Sequence, residues 1–198
     1  MANYIAPLKE INFVLNEVAE ISRVYDQERF AESNEELIAS VLQEGARFAN
    51  GVLAPLNSVG DLIGSRIVDK QVREASGFAE AYQKFIEGGW TSLPCDPAYG
   101  GMGLPESIGI AAMEMWSAAN LSFALCPMLG QGAIEALQSH ASDKLRDVYL
   151  EKMISGEWTG TMNLTESQAG SDLASINTKA VFKDVHYLIS GTKIFITW

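Results

Sequence analysis

The sequence predicts an α+β chain: a mainly helical domain over residues 1–156, then the opening strands of a β-domain over 157–198. Three observations predict it. Apolar residues recur at three- and four-residue steps almost throughout the first part, the spacing that sets side chains on one face of a helix. After Gly156 the period drops to two, the spacing of a strand. Between helical stretches, residues 88–105 read GGWTSLPCDPAYGGMGLP, too rich in Gly and Pro for any regular element.

Each element follows in order. Leu8, Ile11, Leu15, Val18 and Ile21 mark a helix over residues 4–24. Ser33-Asn34-Glu35-Glu36 is a capping-box pattern that opens a second helix, with Ile38, Val41, Phe48 and Val52 on its buried face. A third is expected from about Lys70 to Glu87, burying Ala75, Phe78, Tyr82, Phe85 and Ile86 and ended by Gly88-Gly89. Pro105, a favoured first-turn residue, starts a helix through Ile108, Ala112, Met115 and Trp116. Pro127 is expected to interrupt before a helix through Leu129, Ala133, Ile134 and Leu137. Ser142 caps the last helix, with Leu145, Val148, Tyr149 and Met153 inside and Gly156 as its stop. A strand then puts Trp158, Gly160, Met162 and Leu164 on one side and Thr159, Thr161, Asn163 and Thr165 on the other. Further strands are expected over 178–183 and 187–196, joined by a turn at Asp184-Val185-His186. Two or three strands cannot close a sheet and protect its edges, so the β-domain is expected to be truncated.

Composition narrows the function classes. The net charge of −11 argues against a nucleic-acid partner, which needs a basic surface. Any phosphate ligand must be held by backbone N–H groups, hydroxyls, or arginines elsewhere. No apolar run reaches the roughly 18 residues of a membrane span, and the N-terminus lacks the charged-then-apolar pattern of a secretory leader. Cys95 and Cys126 have no metal spacing with His140 or His186 and read as two reduced thiols, which points to the cytoplasm. Both histidines fall in polar surface stretches.

The chemistry concentrates in TMNLTESQAGSDLASINTKA, residues 161–180, and ISGTKIFITW, residues 189–198. Thr165, Ser167 and Ser171 supply hydroxyls, and Gly170 allows close approach to the backbone. Bare N–H groups in such a loop can hold an anion or a ring carbonyl. The loop is neither a Walker loop nor a Rossmann fingerprint. By side-chain chemistry alone an ordinary polar loop stands as the alternative. In the second segment, strand alternation sets the Phe195 ring and the Thr197 hydroxyl on one face, where they could flank a flat polar ligand.

Together these stretches resemble the acyl-CoA dehydrogenase signature, a TEP-x-x-GSD segment followed by a GxKxxIT strand. GGWTSLPCDPAYGGMGLP is similar to the family's Gly-Trp…Tyr-Gly-Gly-x-Gly-Leu-Pro segment. GQGAIEALQSHASDKLRDVYLEKMISGEWTG resembles the approach to its β-domain, and MANYIAPLKEINFVLNEV an N-terminal extension in a bacterial branch of longer chains. The resemblance covers nearly the whole chain, in order. It implies an N-terminal helical domain, a middle β-barrel, here incomplete, and a C-terminal helical domain, here absent. It implies an FAD enzyme that oxidises acyl-CoA to trans-2-enoyl-CoA, with an electron-transferring flavoprotein as acceptor and a homo-oligomeric full-length form.

The resemblance also implies site residues. Met162, Asn163, Leu164 and Thr165 would meet the flavin's polar edge, and Gly170 and Ser171 would line the loop where FAD and the CoA thioester arm meet, with Ser171 also touching substrate. Phe195 would pack on the flavin face away from substrate, Ile196 would lie beside it, and Thr197 would hydrogen-bond near N5. Ser167 stands where the family commonly has Pro, Phe195 where Trp is frequent, and Met162 where several members have an aromatic. The resemblance implies as catalytic base a glutamate in the C-terminal helical domain, or on an adjacent helix in some branches, so no catalytic residue is expected in this chain. Glu166 is expected to make only a local loop or cap hydrogen bond. With one wall of the cleft present, FAD binding by this chain alone is expected to be weak or absent. An oxygen-using acyl-CoA oxidase and a non-catalytic helical interaction module of the same fold are the alternatives.

Overall fold

The computed structural model describes residues 4–30 and 32–197. The chain divides into two compact units, Met1–Gly160 and Thr161–Trp198.

The first unit is a helical bundle. It opens with α1 (Leu8–Phe13), a π-helical turn at Val14–Val18 and the short α2 (Ser22–Tyr25). The single helix expected here is broken, with Glu20 in a left-handed backbone (φ 48°). Ile11, Leu15 and Ile21 are buried as the spacing requires, while Val18 is exposed. α3 (Glu35–Phe48) starts one residue later than the capping box implies, because Asn34 caps it by accepting from the Leu37 amide at 2.9 Å. It continues through a π-turn (Ala49–Leu53) into α4 (Ala54–Ile63), where Pro55, lacking an N–H, disrupts regular α-bonding.

The helix expected from Lys70 is shorter than its apolar spacing suggests. Residues 66–73 form an exposed hairpin, β1 (Arg66–Val68) against β2 (Gln71–Arg73), and α5 runs only over Phe78–Glu87. The hairpin turn is Asp69-Lys70, both at positive φ (51° and 63°), the backbone of a type I′ turn without the usual glycine.

α5 and its neighbours bury an aromatic cluster. Phe85 meets Trp116 edge-on at 4.8 Å, Phe123 at 5.6 Å and Phe48 at 5.8 Å. The Gly/Pro segment folds as two 3₁₀ turns, Trp90–Ser92 and Pro97–Tyr99. Gly101 is needed there, since a Cβ would lie 2.0 Å from the Cys95 carbonyl oxygen. The segment is tied to the helices by Thr91 Oγ1 donating to the Ile154 carbonyl (2.5 Å) and by Gln131 Nε2 donating to the Thr91 carbonyl.

α6 (Glu106–Ala119) buries Ile108, Ala112, Met115 and Trp116. The break that follows is at Asn120, and α7 (Leu121–His140) runs straight through Pro127, contrary to the expected interruption. Packing on both sides of the proline, by Phe123, Ala124, Cys126 and Ile134, outweighs the missing backbone bond. Asn120 caps α7 from the Phe123 amide (3.1 Å) and donates to the Leu53 carbonyl (3.2 Å), joining α7 to the α3–α4 π-turn. α8 (Asp143–Ile154) starts after Ser142, whose hydroxyl makes no cap bond. Its buried face is Leu150, Met153 and Ile154, whereas Leu145, Val148 and Tyr149 are exposed. Gly156, at φ 80°, ends it.

The second unit holds β3 (Lys179–Lys183) paired antiparallel with β4 (His186–Ser190). Lys183 pairs with His186, so the turn is Asp184-Val185 alone. Two expected strands are not regular. Residues 158–164 contribute only an isolated bridge, and β4 ends at Ser190 rather than Ile196, with Phe195 at φ 53°.

Candidate functional site

The site predicted from sequence lies within the second unit, where the structure makes one object of two distant segments. Met162 bridges Thr197 antiparallel, and the Ile194 amide donates to the Thr165 carbonyl at 3.0 Å. The Thr161 hydroxyl donates to the Thr197 carbonyl. Residues 162–165 therefore run alongside 194–197 as an irregular ribbon. Met162, Asn163, Leu164 and Ile196 are exposed on it, Thr165 and Thr197 are half-buried, and the Phe195 ring is 84% exposed. Because Phe195 has a positive φ, the strand alternation expected to pair it with Thr197 on one face does not run through this residue.

Glu166 builds the end of this ribbon, and sequence reasoning missed its reach. It was expected to bond locally; instead its carboxylate, in a residue only 4% exposed, gathers three separate pieces of chain. It accepts from Gln168 Nε2 (2.7 Å), the Asn177 amide (2.8 Å), the Thr178 amide (3.0 Å), the Thr178 hydroxyl (2.5 Å) and Lys193 Nζ (3.0 Å). The Thr178 hydroxyl, then the Asn177 amide and Lys193, hold the carboxyl well below the usual carboxylate range. Lys193 Nζ also donates to the Leu164 carbonyl at 2.9 Å. Gly191 permits this packing, since a Cβ there would lie 2.0 Å from Thr178 Oγ1. The available signal was the motif itself, which carries an acid in its first half and a lysine in its second.

Glu166 and Ala169 exchange backbone bonds of 3.0 Å around a turn at Ser167-Gln168, so the position where the family commonly has Pro is a tight turn here. Gly170 and Ser171 follow it and are exposed, and a Cβ on Gly170 would meet nothing within 4 Å. Among the described residues no hydrogen bond joins Gly170 or Ser171 to residues 194–197. Asp172 caps the 3₁₀ turn Leu173–Ser175 by accepting from the Ala174 amide at 3.2 Å.

The other singled-out residues are bland. Cys95 and Cys126 are free and buried; burial pushes their thiols up to about 11 and about 12. His140 and His186 are exposed. No group of three or more His, Cys, Asp or Glu among the described residues could hold a metal ion, and none of the helices described is long and apolar enough to cross a membrane.

The ribbon leaves four large apolar residues exposed, Met162, Leu164, Phe195 and Ile196, beside the half-buried Thr165 and Thr197.

Comparisons with known proteins agree on the family. The family model described as "Acyl-CoA dehydrogenase, N-terminal domain" matches residues 53–157. A 3-methylmercaptopropionyl-CoA dehydrogenase of Ruegeria pomeroyi is 42% identical over 98% of this chain and 33% of its own length. A butyryl-CoA dehydrogenase of Syntrophomonas wolfei is 31% identical over the same shares, 98% and 33%. The chain thus spans about a third of the length of these relatives. Among solved structures, the butyryl-CoA dehydrogenase of Megasphaera elsdenii shares the fold with a TM-score of 0.69 at 23% identity, covering 83% of this chain and 40% of that one. PigA with FAD and proline also shares it, with a TM-score of 0.66 at 21% identity over 83% of this chain and 41% of that one. The match of its helical unit to the family's N-terminal domain, together with the signature segments that form one ribbon, makes this chain a member of the acyl-CoA dehydrogenase family.

Proposed function

We propose that the chain supplies one wall of the flavin site of an FAD-dependent enzyme that oxidises acyl-CoA to trans-2-enoyl-CoA. The observation that carries this reading is the ribbon: two signature segments, far apart in sequence, meet through the Met162–Thr197 bridge and leave four large apolar side chains exposed beside Thr165 and Thr197. FAD, when bound, supplies the acceptor for the hydride that leaves the acyl β-carbon.

On this reading the chain's own residues bind and orient. Met162, Asn163 and Leu164 offer backbone groups to the flavin's polar edge. The Leu164 carbonyl already accepts from Lys193, so the group this residue would offer the ligand is its amide. Donors aimed at the ring carbonyl stabilise the charge that builds there on reduction. The Thr165 hydroxyl meets the same edge, the Phe195 ring with Ile196 beside it covers one face, and Thr197 bonds near N5. Gly170 and Ser171 leave room where FAD and the CoA arm meet, with Ser171 touching the substrate. The base that removes the α-proton is a glutamate in the C-terminal helical region, outside this sequence.

The substrate class is a short acyl-CoA. The 42% identity to a 3-methylmercaptopropionyl-CoA dehydrogenase favours a thioether-bearing propionyl-CoA, ahead of the straight-chain butyryl-CoA of the 31% relative. An electron-transferring flavoprotein is the acceptor, and the full-length protein is a cytoplasmic homo-oligomer. The 198-residue chain alone, with one wall of the cleft, binds FAD weakly or not at all. The test is the absorption spectrum of the purified full-length protein, mixed in turn with 3-methylmercaptopropionyl-CoA, butyryl-CoA and longer acyl-CoAs. Bound flavin that bleaches fastest with the short thioesters supports the reading; a colourless protein overturns it.

A further inference from the structure

We infer that the Glu166–Lys193 ion pair is a positioning clamp that fixes the backbone of Phe195, and with it the ring that covers the flavin. The inference rests on the flavin reading above and adds two residues to it.

Three features of the second unit lead there. Phe195 has φ 53°, a left-handed backbone that a bulky L-residue adopts only under constraint. Its ring is 84% exposed, so packing of that side chain does not supply the constraint. Such outliers persist only where the surrounding structure over-determines them, and they cluster at ligand clamps and active sites.

The constraint comes from tethers on both sides of Phe195. Before it, Lys193 Nζ is held by Glu166 (3.0 Å) and by the Leu164 carbonyl (2.9 Å), and the Ile194 amide by the Thr165 carbonyl (3.0 Å). After it, Thr197 is held in the bridge to Met162. Lys193 is half-buried, its side chain 18% exposed against 4% for Glu166, and its ammonium is tied at two points, so the pair has a fixed geometry. Glu166 in turn is locked by the amides of Asn177 and Thr178. The clamp therefore joins the segment holding the flavin's polar-edge contacts to the segment holding Phe195 and Thr197. Neither charged group needs to touch the ligand; they act through the ribbon.

The experiment compares full-length wild type with Glu166→Gln, Lys193→Met and Lys193→Arg. It reads the FAD dissociation constant, the visible circular dichroism of bound flavin, and the far-ultraviolet spectrum. Outer hydrogen-bond partners that orient a ligand's direct contacts are typically worth about 10- to 100-fold in affinity at metal sites, and the same scale applies here. Glu166→Gln and Lys193→Met are expected to weaken FAD binding about tenfold or more and to change the flavin's dichroism, with helix content unchanged. Lys193→Arg, which keeps the charge, is expected to fall between wild type and Lys193→Met. Should Glu166→Gln fail to fold, the two Lys193 variants decide alone. Wild-type FAD affinity and dichroism in Lys193→Met would overturn the clamp while leaving the flavin reading intact. A wild-type protein that binds no FAD would overturn both.

Discussion

Replacing Asn120 by alanine tests the joint on which the helical unit turns. Asn120 is 1% exposed and sits between α6 and α7. Its Oδ1 accepts from the Phe123 amide (3.1 Å) and the Ser122 hydroxyl (2.7 Å), and its Nδ2 donates to the Leu53 carbonyl (3.2 Å). Losing an N-cap costs about 0.5–2 kcal/mol. Losing one more net hydrogen bond, the one to Leu53, costs about 0.5–1.5 kcal/mol. Asn120→Ala is therefore expected to lower unfolding free energy by about 1–3.5 kcal/mol, a large share of a typical domain's 5–15 kcal/mol. Asn120→Ser keeps a capping hydroxyl but cannot reach Leu53, so its cost should be only the second part, about 0.5–1.5 kcal/mol. Urea unfolding followed by tryptophan fluorescence reads both, because Trp90 and Trp116 meet edge-on in the core that α7 closes. A loss below about 0.5 kcal/mol for Asn120→Ala would refute the reasoning, because even a weak cap is worth that much.

Three further outcomes follow from the same geometry. The Glu166 carboxyl is held below its ordinary value of 4.5, so its contribution to the second unit is complete above that pH and is lost as pH falls below it; the protection of the Asn177 and Thr178 amides, read as exchange relative to the intrinsic rate at each pH, should fall on acidification in wild type and be low at every pH in Glu166→Gln. With thiols pushed up to about 11 and about 12 and buried, Cys95 and Cys126 should resist a thiol reagent at pH 8 in the native chain and both react in denaturant; rapid native labelling would contradict their burial. In the full-length protein, Thr197→Val should slow single-turnover flavin reduction by roughly 2- to 12-fold, the scale of one hydrogen bond, and a wild-type rate with unchanged FAD binding would reduce Thr197 to a bridge residue.

Sequence legibility followed how strongly local signals agreed with tertiary packing. The buried faces of α3 and α6 were legible because apolar spacing and packing coincide at Ile38, Phe48, Ile108 and Trp116. The β1–β2 hairpin was hidden because its turn, Asp69-Lys70, takes positive φ without glycine, and its apolar residues Ile67, Val68 and Val72 are exposed. Pro127 was a false stop, since the flanking residues of α7 are packed firmly enough to carry the helix through it. At the candidate site, the segments themselves were readable from their motif residues. Their pairing and the convergence of five donors on Glu166 were not, because these depend on the fold of residues 177–178 and 193, and no local pattern records that.

The central claim is that this family member belongs to an enzyme that desaturates a short acyl-CoA at its α and β carbons. The most direct measurement is product analysis of the full-length protein incubated with 3-methylmercaptopropionyl-CoA and an artificial electron acceptor, with oxygen excluded. The account predicts the matching trans-2-enoyl-CoA, one molecule for every two electrons that the acceptor takes up. Flavin-replete protein that forms no enoyl-CoA from this or any other acyl-CoA under those conditions would contradict it.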